Sequence, residues 1–145
     1  MSKPWSKLKK SIEALWEPTA GLRIHCSVYR MGSAHGGTDC PRYWIAQGKT
    51  IIWDYPKDFP AEAQPEYSGK YPYTNDASDI SNLIRDYIDT PQSELMTKLF
   101  EDRWGLADIL RCADRRIGLK RLENTYSEQR SPATNKILDA RRKSR

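Results

Sequence analysis

The chain has 145 residues, 38% hydrophobic and 30% charged, with 24 Lys and Arg against 19 Asp and Glu and a formal net charge of +5. That is enough chain for one domain with its own core, and the composition is that of a wet chain expected to be compact rather than disordered. No apolar run approaches the roughly 18 residues that cross a bilayer, and the basic opening MSKPWSKLKK has no apolar stretch behind it, so a cytoplasmic protein without a secretory leader is expected.

In chain order, the first predicted element is a helix from about Pro4 to Trp16. Proline suits the first helical turn, and Trp5, Leu8, Ile12, Leu15 and Trp16 fall on one stripe at a 3.6-residue period. Lys3, Lys7 and Lys10 then lie opposite, and Glu17-Pro18 stops the helix, because a residue before proline avoids the helical conformation. Leu22 to Met31 alternates as a strand, with Leu22, Ile24, Cys26 and Val28 on one side and Arg23, His25, Ser27 and Tyr29 on the other.

The stretch PRYWIAQGKTIIWDYPKDF reads as a hairpin turning at Gln47-Gly48, which makes a three-stranded antiparallel meander. That turn sets Ala46 opposite Lys49 and Trp44 opposite Ile51. One face then carries Arg42, Trp44, Ile51, Trp53 and Tyr55, and the other Tyr43, Ile45, Thr50, Ile52 and Asp54. Both faces are apolar enough to need cover. Core packing accounts for at least one ring group; the other reading of Trp44 and Trp53 is a platform, flanked by Arg42 and Lys49, on which bases stack.

Residues 60–75 combine prolines and tyrosines without periodicity and read as a long loop. From Asp76 a helix places Ile80, Leu83, Ile84, Tyr87 and Ile88 on one stripe. Thr90-Pro91 reads as a cap and first-turn proline, opening a short helix with Leu95, Leu99 and Phe100 inside. A helix from about Gly105 follows, with Leu106, Ile109, Leu110, Ala113 and Ile117 inward and Gly118 as its end or kink. A basic helix opened by Ser131-Pro132 occupies much of residues 125–145. The expected architecture is a single α+β domain: an N-terminal helix, the meander, and three to four C-terminal helices packed on the sheet.

Charge is segregated. Residues 1–53 carry net +5, residues 54–108 net −7 and residues 109–145 net +7. This suggests a basic surface drawn from both ends of the chain, with an acidic middle; the alternative is that the segments pack together and cancel. The run ADRRIGLKRLENTYSEQR fails as a helix-turn-helix, since Asp114 stands where a small residue is wanted and Asn124 where an aliphatic one is. What remains is a basic face of Arg111, Arg115, Arg116, Lys120 and Arg121, continued by Arg141, Arg142, Lys143 and Arg145.

His25, Cys26, His35 and Cys40 have metal-binding side chains but no metal-binding spacing, and neighbours in a strand project to opposite faces, so no metal site is expected. Cys26, Cys40 and Cys112 are expected as free thiols, with a Cys26–Cys40 disulfide as the alternative. His25 or His35 with Asp39 or Asp54 are the acid–base candidates. The glycine-rich loop after His35 has no helix behind it to bind phosphate. No cofactor is expected.

The segments WSKL at Trp5 to Leu8, IHC at Ile24 to Cys26, YRM at Tyr29 to Met31, PRYWI at Pro41 to Ile45, IIWDYPKDF at Ile51 to Phe59, WGLADILR at Trp104 to Arg111 and ADRRIG at Ala113 to Gly118 span most of the chain. On them the chain resembles a family of small uncharacterised bacterial proteins. The resemblance implies a bacterial, cytoplasmic origin and brings no activity or catalytic residue with it. The functional expectation therefore rests on the residues: a non-enzymatic domain that contacts nucleic acid or an acidic partner. Arg111, Arg115, Arg116, Lys120 and Arg121 would meet phosphates, and Arg42, Trp44 and Trp53 would form a stacking site. The alternatives are a small hydrolase built on His25, His35 and Asp54, and a protein-interaction or immunity-type module using the acidic segment Asp76 to Asp108.

Overall fold

A computed structural model describes residues 5–30, 39–55, 74–102, 104–126 and 131–143; the 60–75 loop, apart from its last two residues, and His35 lie outside them. Helix α1 spans Trp5–Leu15 and buries Leu8 and Ile12, four residues apart on one face. After the 3-10 turn Pro18–Ala20, Gly21 takes a left-handed conformation (φ 66°) that swings the chain into β1.

Strands β1 (Leu22–Arg30), β2 (Asp39–Gln47) and β3 (Thr50–Tyr55) form an antiparallel sheet in the order β1-β2-β3. The expected hairpin register is corrected in two ways. Gln47 pairs with Thr50, so the turn is Gly48-Lys49, with Gly48 at φ 60°. A bulge then shifts the pairing between Ile45 and Ala46, so that Trp53 opposes Ile45 and Asp54 opposes Trp44. An extra residue in one strand reverses which side the following side chains face. Trp44 and Trp53 therefore occupy opposite faces of the sheet.

The inner face is built from the rows Leu22–Gln47–Thr50, Ile24–Ile45–Trp53 and Cys26–Tyr43–Tyr55. Leu22, Ile24, Tyr43 and Ile45 are buried, and Ile52, Trp53, Tyr55 and Cys26 pack against the same core. The open edge of β1 is closed by α1: Glu13 accepts the Ile24 N–H at 2.9 Å while Lys9 donates to the Ile24 carbonyl. A charged i,i+4 pair thus occupies backbone groups that would otherwise pair with another chain. The register also sets Cys26 and Cys40 three residues apart along neighbouring strands, roughly 10 Å at the rise of a β-strand. That is past the reach of a disulfide, which removes the Cys26–Cys40 alternative; Cys26 and Cys112 are free thiols.

Helix α2 (Thr74–Asp89) buries Ile80, Leu83, Ile84 and Tyr87 as its stripe requires. Beyond it the expectations change. Thr90 is no N-cap: its hydroxyl donates back to the Asp86 carbonyl at 2.6 Å. The next segment is only a 3-10 turn, Gln92–Glu94, so helical periodicity does not apply, and Leu99 is 95% exposed while Leu95 is buried. Helix α3 (Leu106–Ala113) starts where the Asp102 carboxylate accepts the N–H groups of Trp104, Leu106 and Ala107, satisfying donors a helix start leaves open.

Helix α3 does not run on to Gly118. Asp114 leaves the helical conformation and bridges to Trp16, and Gly118 instead begins helix α4 (Leu119–Thr125), a separate element. Helix α5 spans Pro132–Lys143, with the Ser131 hydroxyl accepting the Thr134 N–H at 3.2 Å. One cluster of buried side chains runs from Leu8 on α1 through the inner face of the sheet to Leu138 on α5. Among the described residues, no helix is long and apolar enough to cross a membrane.

Candidate nucleic-acid interface

The outer face of the sheet carries the rows Arg23–Ala46–Ile51 and His25–Trp44–Asp54, with Arg42 beside Ser27. None of these residues belongs to the buried core. The His25 and Trp44 rings stack at 5.0 Å between centroids and 29° between planes. The Arg42 guanidinium lies over the Trp44 ring, 4.6 Å from its centre, a cation–π contact, and reaches 3.9 Å from the Asp54 carboxylate. Burial, together with the positive charges of Lys9 and Arg23, holds His25 below the ordinary histidine value of 6.5, against a smaller opposing pull from Glu13. The imidazole is therefore mostly neutral at pH 7, a flat ring among paired charges. Lys49 is exposed in the turn at one end of this face.

Trp53, the other expected member of the platform, is turned inward. Its indole N–H donates to the Trp104 carbonyl at 2.8 Å, and Trp104 meets Tyr55 edge-on. The expected basic run also divides. Arg111 holds the backbone of the preceding segment, donating to the Leu95 and Lys98 carbonyls at 2.8 and 2.6 Å and pairing with Asp108. Arg116 forks onto the buried Asp114 carboxylate at 3.0 and 2.7 Å. Both are framework residues.

Arg115, Lys120 and Arg121 are exposed. Arg115 donates to the Ala14 carbonyl at 3.0 Å, which places its charge at the C-terminal end of α1, where the helix dipole favours a cation. On α1 itself, exposed Lys7 and Lys10 share a face with Ala14. Arg115 thus brings one charge of the C-terminal segment to the helix that carries Lys7 and Lys10.

Of the acid–base candidates, His35 and the Asp39 side chain lie outside what the structure describes, and the His25–Asp54 pair does not meet. His25 on β1 and Asp54 on β3 flank Trp44, two strand spacings or roughly 10 Å apart. His25 and Cys26 face opposite sides of β1, and the Cys26 thiol is pushed up by burial, so it is a poor nucleophile. Among the described residues, no group of three His, Cys, Asp or Glu could hold a metal ion. In the acidic segment, Asp86 pairs with Lys98 at 2.6 Å, Asp102 caps α3, and Asp108 accepts from Arg111 and the Tyr126 hydroxyl. A cleft of about 730 Å³ lies there, lined by Asn82, Leu83, Asp86, Leu99, Glu101, Asp102 and Trp104.

Lys9 reaches from α1 to the Ile24 carbonyl of β1, a role that depends on a partner fifteen residues away. The helical period, which places Lys9 between Leu8 and Ile12, is the one sign of it in the sequence. The model of the SF0329 protein family matches residues 64–142, more than half of the chain, and the chain belongs to that family. No curated protein and no solved structure matches it.

Proposed function

We propose that this member of the SF0329 protein family is a non-enzymatic binding domain for single-stranded nucleic acid. The observation that supports it is the layer of His25, Trp44 and Arg42 on the face of the sheet turned away from the core. Unpaired bases stack on aromatic and guanidinium planes, and Arg23 and Lys49 supply positive charge around that layer. Lys7, Lys10, Arg115, Lys120 and Arg121 are further exposed cations, on the helical elements, that would meet phosphates. A bacterial, cytoplasmic setting belongs to the same proposal and rests on the sequence resemblance.

The test is a salt titration of binding to mixed-sequence single-stranded RNA and DNA. Binding through these residues gives a log Kd that rises linearly with log salt, and each phosphate-contacting Lys or Arg removed lowers the slope by about 1. No affinity at about 50 mM salt removes the electrostatic basis. A second reading, a protein-contact module, draws on Leu99, 95% exposed at the acidic cleft. Pull-down with and without nuclease separates the two, since nuclease releases partners only in the first.

A further inference from the structure

Resting on the protein-contact reading and not on the nucleic-acid one, we propose that the cleft between α2 and the residues leading into α3 receives a basic amphipathic segment of another protein, an apolar side chain flanked by Lys or Arg. An exposed leucine by itself says little about function. Leu99, however, sits between two anchored neighbours. The Lys98 carbonyl accepts from Arg111 at 2.6 Å. The Phe100 ring lies 5.6 Å from that of the buried Tyr87, with the Arg111 guanidinium 5.2 Å from its centre. The side chain between them is left 95% exposed, on backbone that loses little freedom when a partner covers it.

Leu99 borders a cleft of about 730 Å³ in which Leu83 is buried and Trp104 partly so. Four of its seven lining residues are polar or charged. Small-molecule pockets are lined mainly by apolar groups and enclose the ligand, whereas apolar contacts within a polar rim are the anatomy of a protein interface. The sign of the charge then selects the partner. Asp102 is committed to the start of α3 through three N–H groups, and Asp86 pairs with Lys98. Glu101 is exposed and takes no partner among the described residues. Residues 76–108 carry eight Asp and Glu against three Lys and Arg. The field over the cleft therefore favours a cationic segment and disfavours an acidic one or a nucleic-acid strand.

The test is fluorescence anisotropy with the full chain and short labelled peptides built from Lys and Leu, from Glu and Leu, or from Lys and Ser. Wild type is expected to bind the Lys/Leu peptide most tightly. Leu99→Ser is expected to weaken that binding about tenfold, the low end for burying one leucine side chain, with its melting temperature kept. Glu101→Gln should weaken it about two- to fivefold, the scale of one exposed charge pair. Equal binding of the Glu/Leu peptide overturns the basic partner while leaving the protein-contact reading intact. Equal binding of the Lys/Ser peptide overturns the apolar anchor. A dimer in sedimentation velocity that Leu99→Ser abolishes gives the cleft to a second copy and overturns the inference. Absence of Leu99-dependent binding to every peptide, with no such dimer, overturns both the inference and the protein-contact reading.

Discussion

Removing the Asp114 carboxylate should unfold a large part of this protein's margin of stability. Asp114 is fully buried. Its carboxylate accepts the Tyr87 hydroxyl at 2.7 Å, the Arg116 guanidinium at 3.0 and 2.7 Å and the Arg116 N–H at 2.8 Å. Its backbone joins Trp16, and Arg141 adds a contact to its carbonyl while also holding those of Cys112 and Ile117 at 2.7 and 2.8 Å. Asp114→Ala leaves the Arg116 charge without its buried partner, a loss that costs about 3–5 kcal/mol. Partial relief comes from Arg116, whose side chain is 20% exposed, and from Tyr87, which also reaches the Leu110 carbonyl at 3.3 Å. The low end, about 3 kcal/mol, is therefore expected. For a chain of this length it lowers the melting temperature by about 6–12 °C. Urea unfolding of wild type, Asp114→Ala, Tyr87→Phe and the double variant measures both the loss and the Asp114–Tyr87 coupling. A loss under about 1 kcal/mol for Asp114→Ala, with unchanged m-value, would refute the reasoning.

The two tryptophans of the hairpin should separate by assay. Trp53→Ala is expected to cost about 3 kcal/mol in urea unfolding as an inward ring with a hydrogen bond to Trp104, whereas Trp44→Ala costs about 1 kcal/mol, the scale of its ring and cation–π contacts. Glu13→Ala should destabilise by about 1.5–3 kcal/mol through the Ile24 N–H it leaves unmet, and light scattering should show self-association as the β1 edge opens. At high pH, burial pushes Tyr43 up to about 12, and burial with a neighbouring carboxylate holds Tyr87 and Tyr126 above the ordinary 10.0. Unfolded tyrosines ionise first, so stability present below pH 10 should fall as pH rises through about 12. Tyr87→Phe should flatten that fall, measured as unfolding free energy against pH.

The parts of the fold legible in the sequence are those where one periodicity governs a whole element. The stripes of α1 and α2 and the alternation of Leu22, Ile24 and Cys26 settled which sides face inward. What was not legible depends on single backbone events. The bulge at Ile45/Ala46 separates Trp44 from Trp53, and nothing in IIWDY marks where an extra residue enters. Asp114 ends α3 because it is recruited by Trp16, Tyr87 and Arg116, partners far from it in the chain or held there by the turn itself. The same recruitment takes Arg116 out of the basic surface, and Arg111 leaves it by holding the Leu95–Lys98 backbone. A count of charges by segment cannot distinguish these from exposed Lys120 and Arg121.

The most direct measurement is binding of single-stranded RNA at about 50 mM salt by wild type and Trp44→Ala, with melting temperatures recorded for both. The expected result is salt-sensitive binding by wild type, weakened about 5- to 150-fold in Trp44→Ala, the range of one lost stacking contact, with the fold retained. Equal affinities of the two folded proteins, or no binding by wild type, would contradict it.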